Sequence, residues 1–173
     1  MNYDTEIPSY ARHTEHEVCG FFGPYRFLSN FYDASVYYGG RWFRRTENAF
    51  QFAKLIPVIP DDEDDYKEWY EKQYEIVAAM PAREVKKWGK SVKMRDDWEI
   101  KGVRKDVMLA VVFDKFFRHR DLRAKLLETG ARYLEETNSW RDTTWGICDG
   151  IGTNYLGKIT MNVRDLFIKH QIL

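Results

Sequence analysis

The run Arg45-Thr46-Glu47-Asn48-Ala49-Phe50-Gln51-Phe52-Ala53-Lys54-Leu55 carries polar groups able to do chemistry at helical spacing. At about 100° per residue, Glu47, Gln51 and Lys54 share one face, and Ala49, Phe52, Ala53 and Ile56 form an apolar stripe. Thr46 is the expected N-cap, and nothing breaks the run before Pro57. Phe50 and Leu55 flank the polar face, so the helix reads as covered nearly all round. A polar stripe on such a helix faces a cleft or a polar core; the plain alternative is a solvated face. Glu47 lies in the first turn, where the helix dipole favours the carboxylate. That suits a base, a nucleophile or a cation stabiliser better than a proton donor. Lys54, desolvated among Phe50, Phe52 and Leu55, could be partly neutral and attack an opened sugar aldehyde. The alternative is a lysine whose stem is covered and whose head is wet.

Asp142 is the second candidate carboxylate. Cleaving a bond to an anomeric carbon passes through an oxocarbenium-like transition state. One carboxylate stabilises or attacks it while another group handles the proton of the water or leaving group. The segment Gly150-Ile151-Gly152-Thr153-Asn154 precedes a helix and could cradle a phosphate on free N–H groups; a tight structural turn is the alternative. It lacks the βαβ setting of a dinucleotide fingerprint and the Ser/Thr of a phosphate-binding P-loop. Trp98, Trp140 and Trp145 could stack on a base or fill the core. Arg41, Arg44 and Arg45 form a basic cluster beside Glu47, suited to a phosphate or to a surface.

These groups must be positioned by a chain of 173 residues, enough for a domain with a sizeable core. At 44% hydrophobic and 31% charged it is ordinary globular protein, but 16% aromatic leaves a surplus for lining a pocket. Lys and Arg (27) balance Asp and Glu (27), which argues against gripping long duplex nucleic acid by charge alone. Cys19 and Cys148 offer no disulfide framework, so a reduced, cytoplasmic setting is expected. Four scattered histidines give no ligand spacing, and neither a metal nor a cofactor is expected. No apolar run has membrane-spanning length, so no membrane association is expected.

In chain order, residues 1–17 read as a loosely held arm and 18–173 as one domain. Val18 to Phe22 reads as a strand ending at Gly23-Pro24. Phe27-Leu28-Ser29-Asn30-Phe31-Tyr32 sets aromatics around a polar pair. Val36 to Tyr38 and Arg41 to Phe43 read as a hairpin turning on Gly39-Gly40. Beyond Pro57 and Pro60, acids 61–65 open a helix whose face is Tyr66, Tyr70, Tyr74, Val77 and Ala78. Pro81 opens a short helix ending at Gly89. A long helix spans about 102–118, Asp121 caps another ending at Thr129-Gly130, and Tyr133 to Thr137 is a strand. The last helix starts at Leu156 or Gly157. The fold class expected is mainly α, within α+β: a helical domain with a few short strands.

Taken together, these residues resemble the NADAR, or YbiA-like, superfamily. The resemblance rests on Phe27-Leu28-Ser29-Asn30-Phe31, Trp42, and Glu47, Phe50, Gln51 and Lys54. It continues through Trp98, Met108, Lys115 and Phe116, then Glu136, Asp142, Trp145 and Gly146. It ends on Gly150, Gly152, Asn154, Leu156, Gly157, Met161 and Arg164. The match runs over about residues 20–168, in order. Two positions depart: Asn48 stands where the family has histidine, and Arg104 where it usually has lysine.

The resemblance implies an N-glycosidase cleaving a ribosyl–base bond, with Glu47 and Asp142 in the active site and Lys54 as the motif lysine nearby. Substrate contacts are expected from Ser29, Asn30, Phe31, Arg44, Gln51, Trp98, Trp145, Gly146, Gly150, Gly152, Asn154 and Gly157. It also implies the substrates: ADP-ribose on guanine, as a nucleobase or in DNA with the base displaced, or phosphoribosylamino-pyrimidine intermediates of riboflavin synthesis. A non-catalytic module binding ADP-ribose or an NAD-like nucleotide is the alternative. An interaction protein without a ligand is a third reading, disfavoured by the joint presence of Glu47, Lys54, Asp142 and Asn154.

Overall fold

The computed structural model describes residues 4–59, 61–100 and 102–172, with only the helical backbone of Ile100. In chain order these form β1 (Arg12–His13), β2 (Glu17–Cys19), a 3-10 helix (Gly23–Leu28), β3 (Val36–Tyr38), β4 (Arg41–Phe43), α1 (Thr46–Phe52), α2 (Asp64–Ala78), α3 (Ala82–Ser91), α4 (Asp97–Ile100), α5 (Val103–Arg118), α6 (Arg120–Glu128), β5 (Tyr133–Glu135), β6 (Ile147–Cys148), β7 (Ile151–Gly152) and α7 (Tyr155–Lys169). The mainly helical α+β class expected from the sequence is what the chain adopts. No described helix is long and apolar enough to cross a membrane.

The chain gathers into two compact units, one of residues up to Tyr32 with Phe116 onward, the other of Asp33–Lys115. In the first, β1 pairs antiparallel with β2, and β2 pairs parallel with β5, setting Val18 opposite Leu134. The described part of the expected arm therefore includes a paired strand, and Thr14 Oγ1 shapes the turn by accepting the His16 and Glu17 N–H groups. Val18, Cys19, Phe21 and Phe22 are buried, but pairing ends at Cys19 rather than Phe22. Positive φ at Gly20 (94°) turns the chain out of the ladder there. The helix α7 buries Leu156, Thr160, Val163, Arg164 and Phe167, a single stripe at helical period. Arg164 Nη1 donates to Thr129 Oγ1 and to the Arg132 carbonyl, both at 2.9 Å.

In the second unit, β3 and β4 form the expected hairpin, with Gly39 and Gly40 at φ 57° and 80° in its two-residue turn. Val36 and Phe43 are buried on one face, while Tyr37 and Trp42 pair across the other. All seven residues of α1 are buried. Phe43, Tyr70 and Tyr74 pack their rings on Phe52, and Trp98 packs on Phe50.

Several boundaries differ from expectation for local reasons. The cap of α1 is Arg45, in extended conformation and with no side-chain cap bond; Thr46 is inside the helix and fully buried. His119 rather than Asp121 caps α6. The short helix does not stop at Gly89 but continues to Ser91, because that glycine answers a packing need rather than a turn. The long helix expected at about 102–118 is α5, Val103–Arg118, and the short α4 before it is the addition. The last helix begins at Tyr155. The β6–β7 hairpin had no periodicity to announce it, each strand being two residues long.

Candidate active site

On α1 the expected polar face exists. Glu47 and Gln51 are 5% and 4% exposed, and Gln51 Nε2 donates to Glu47 Oε1 at 2.8 Å. Their i, i+4 spacing places one above the other on the helix. Lys54, just past the helix, is half-buried, and its Nζ donates to the Gly89 carbonyl at 2.9 Å. Burial pushes the Lys54 ammonium below the ordinary lysine range, against the opposing pull of Glu47; Lys86 adds a smaller repulsion. A buried carboxylate and a partly desolvated amine are thus set on one short segment.

Other expected contacts in this unit have internal partners. Trp98 is 3% exposed and packed on Phe50, so as it stands its ring fills the core rather than offering a face to a base. Arg44 donates from Nε and Nη2 to the two oxygens of Asp33, at 3.0 and 2.9 Å, and Arg45 Nε lies 2.5 Å from the same carboxylate. The hydrogen bond from Arg44 and the charge of Arg45 hold the Asp33 carboxyl below its usual range. Arg41 is paired with Glu71 and lies over the Tyr74 ring at 4.8 Å. The basic cluster is therefore matched by acids, a pairing that spacing alone did not reveal.

Asp142 belongs to the first unit, in the loop between β5 and β6. Its Oδ1 accepts the N–H groups of Thr144 and Trp145 at 3.2 and 2.9 Å. The second oxygen, Oδ2, takes no hydrogen bond among the described residues. The loop is organised by Asn138, which is 2% exposed. Its Oδ1 accepts the Trp140 and Asp142 N–H groups, and its Nδ2 donates to the Asp142 and Ile147 carbonyls. Sequence reasoning missed Asn138, and a polar residue two places before a tryptophan gave it no cue. Arg141, next to Asp142, has φ 62°, a left-handed conformation that costs about 1–2 kcal/mol in a non-glycine residue. Such strain persists only where the surroundings over-determine it.

The glycines of this region serve backbone packing. A Cβ on Gly146 would sit 2.1 Å from the Glu136 carbonyl oxygen, one on Gly152 2.2 Å from that of Gly146, and one on Gly157 2.2 Å from that of Leu134. Gly150 and Gly152 both have positive φ (77° and 149°), and of the four only Gly150 has nothing described within 4 Å of that position. Asn154 is 1% exposed; its Oδ1 accepts the Glu136 N–H, and its Nδ2 donates to the Leu134 carbonyl and Tyr133 Oη. As it stands, this amide ties the start of α7 to β5. For the Gly150–Asn154 segment, the alternative of a tight structural turn fits Gly152 and Asn154. Trp145 is partly exposed, edge-on to Tyr155. Ser29 and Asn30 are buried and Phe31 partly so; Ser29 Oγ accepts the Phe31 N–H at 3.2 Å. Among the described residues, no group of three or more His, Cys, Asp or Glu side chains could hold a metal ion.

A sequence model of the NADAR domain matches residues 12–168. The chain belongs to the NADAR domain family. Among NADAR relatives, an N-glycosidase of Nostoc punctiforme is 30% identical over 150 residues, covering 82% of this chain and 85% of that protein. The N-glycosidase YbiA of Escherichia coli is 32% identical over 140 residues, 80% of this chain and 79% of YbiA. A riboflavin biosynthesis protein of Vibrio vulnificus is 32% identical over 145 residues; the match spans 83% of this chain but only 36% of that longer protein. The NMR structure of E. coli YbiA superimposes with a TM-score of 0.70 at 26% identity, over 96% of each chain. The NADAR fold thus extends through both units.

In this NADAR chain, Asn48 is fully buried and donates through Nδ2 to the Val77 and Met80 carbonyls, at 2.7 and 2.9 Å. Val77 is in the last turn of α2 and Met80 two residues past its end; the Val77 carbonyl also accepts the Met80 N–H, and that of Met80 accepts from Arg45 Nη1. The residue beside Glu47 therefore ties α1 to the chain at the end of α2.

Proposed function

We propose that the protein is an N-glycosidase that hydrolyses a ribosyl–base bond. The observation that carries the reading is the buried Glu47 carboxylate, held by Gln51 one turn along α1 and followed by the desolvated Lys54. The names of the NADAR relatives as N-glycosidases support it.

As the bond from the anomeric carbon to the base nitrogen lengthens, its electron pair leaves with the base and positive charge grows on the sugar. A fixed anion such as Glu47 stabilises that charge more in the transition state than in the ground state. Water then bonds to the anomeric carbon, its proton passing to a base, and the departing base nitrogen gains a proton. Asp142, with one oxygen engaged in the loop and the other unbonded among the described residues, is suited to handle a proton. Lys54 is suited to add to the aldehyde of the opened sugar. Of the glycines, Gly150 has the open setting needed for close approach of a phosphate.

Two substrate classes fit: ADP-ribose linked to guanine, free or in DNA with the base displaced, and phosphoribosylamino-pyrimidines. The test is incubation with each in turn, followed by mass spectrometry for released base and sugar. Release from one and not the other assigns the substrate. Tight binding of ADP-ribose with no release from either replaces the enzyme reading by that of a binding module.

A further inference from the structure

We infer that Gly89 is a positioning residue for the candidate catalytic groups, a role that rests on the N-glycosidase reading of Glu47 and Lys54. Gly89 is buried in the last turn of α3, at ordinary helical φ, so no turn demands glycine there. Packing does. A Cβ at this position would lie 1.8 Å from Gln51 Oε1 and 2.7 Å from Gln51 Cδ. The Gln51 amide can occupy its place only because Gly89 has no side chain. From that place its Nε2 reaches Glu47 Oε1, while its Oε1 is buried with no hydrogen-bond partner among the described residues. The amide is thus held by shape on one side and by Glu47 on the other.

The same residue also engages Lys54. The Gly89 carbonyl lies among the last-turn carbonyls that lack helical donors, and it accepts from Lys54 Nζ. The negative end of the α3 dipole meets the ammonium there. One residue therefore sets Glu47 through Gln51 and Lys54 directly. Any side chain at 89 drives the Gln51 amide away and breaks its hydrogen bond to Glu47.

The experiment is a cycle of Gly89→Ala, Gln51→Ala and the double variant, followed by urea midpoint and by kcat and KM on the cleaved N-glycoside. Alanine ordinarily stabilises a helix relative to glycine. Gly89→Ala lowers the midpoint when residue 51 is glutamine and lowers it far less when residue 51 is alanine, where the amide is gone and only a Cβ remains, 3.3 Å away. Each single variant lowers kcat about tenfold with KM unchanged, and the double is no worse than either, because all three lose one hydrogen bond. An equal midpoint loss in both backgrounds overturns the contact. A folded Gly89→Ala with wild-type kcat overturns the positioning and leaves a structural glycine. If the wild-type protein cleaves no N-glycoside, the functional reading falls on its own. The midpoint cycle and a crystal structure of Gly89→Ala then decide the geometry: Glu47 displaced from its wild-type position upholds it, Glu47 unmoved overturns it.

Discussion

Gln51 Nε2 donates to Glu47 Oε1 across one turn of α1, with both groups almost wholly out of solvent. A carboxylate held this way cannot rotate freely toward water, so its charge is fixed in direction before any substrate arrives. Glu47→Gln keeps the shape and removes the charge. We expect kcat to fall about a hundredfold or more, the scale seen when one preorganised electrostatic group is deleted. Ligand affinity by calorimetry should hold. Unchanged single-turnover rates would remove Glu47 from the chemistry.

Asp142 needs a gentler substitution than alanine. Its Oδ1 accepts the Thr144 and Trp145 N–H groups, so Asp142→Ala should lose about 0.5–2 kcal/mol, as loss of a capping side chain does. Asp142→Asn keeps an oxygen for those donors and loses the charge. Its denaturation midpoint should stay near wild type while turnover falls by about two orders of magnitude. Normal turnover with a lowered midpoint would make Asp142 a loop residue only.

Lys54 should give the protein a distinctive pH response. Burial lowers its folded pKa, so the folded state binds this proton less readily than the unfolded state does. The protonated amine therefore costs stability below the folded pKa. That cost fades as pH rises through the folded value toward the ordinary lysine range. Lys54→Met should raise the urea midpoint near neutral pH, and its advantage should shrink in alkali. A constant advantage at all pH would show that packing, not protonation, is responsible. The same variant should abolish any adduct that wild type forms with an opened sugar and borohydride.

Asn48→Asp should be strongly destabilising. The Val77 and Met80 carbonyls would face a buried carboxylate in place of the Asn48 amide, and a buried polar group left without its partner costs about 1–3 kcal/mol. Thermal denaturation measures this. Wild-type stability would mean that the Met80 N–H and Arg45 Nη1 suffice for these two carbonyls.

Cys19 should resist modification in the folded protein. Burial, with Glu135 and Glu17 nearby, pushes its thiol up to about 12, so little thiolate forms near neutral pH. Maleimide labelling followed by peptide mapping should find Cys19 untouched until denaturant is added. Rapid native labelling would show that β2 opens.

The α1 site was largely legible because helical period alone puts Glu47, Gln51 and Lys54 on one side and apolar residues around them. The Gly39-Gly40 hairpin was legible because two left-handed residues in a row demand glycine. The loop around Asp142 was not. There the glycine pattern fits a ligand cradle and a tight turn equally, whereas Gly146, Gly152 and Gly157 make room for carbonyl oxygens of other segments, which no local pattern encodes. Asn154 shows the same limit: an amide before a helix suggests ligand or cap, yet its partners lie on β5. Trp98 and Arg44 were chosen by chemical type, and type does not report which neighbours have already claimed a side chain.

The parallel pairing of β2 with β5 bears on the order of assembly. During synthesis Val18 emerges early, but its partner Leu134 comes 116 residues later. Closing so long a loop is entropically costly and slow compared with forming a helix or a hairpin. The segment from Asp33 to Lys115 is continuous in sequence and can condense while β2 still waits. Amides of β2 and β5 should thus gain protection from hydrogen exchange late in refolding, after those of α1 and α2. The aromatic and apolar stretch from Val18 to Leu28 stays unprotected for most of translation, and there a chaperone has the longest opportunity to bind.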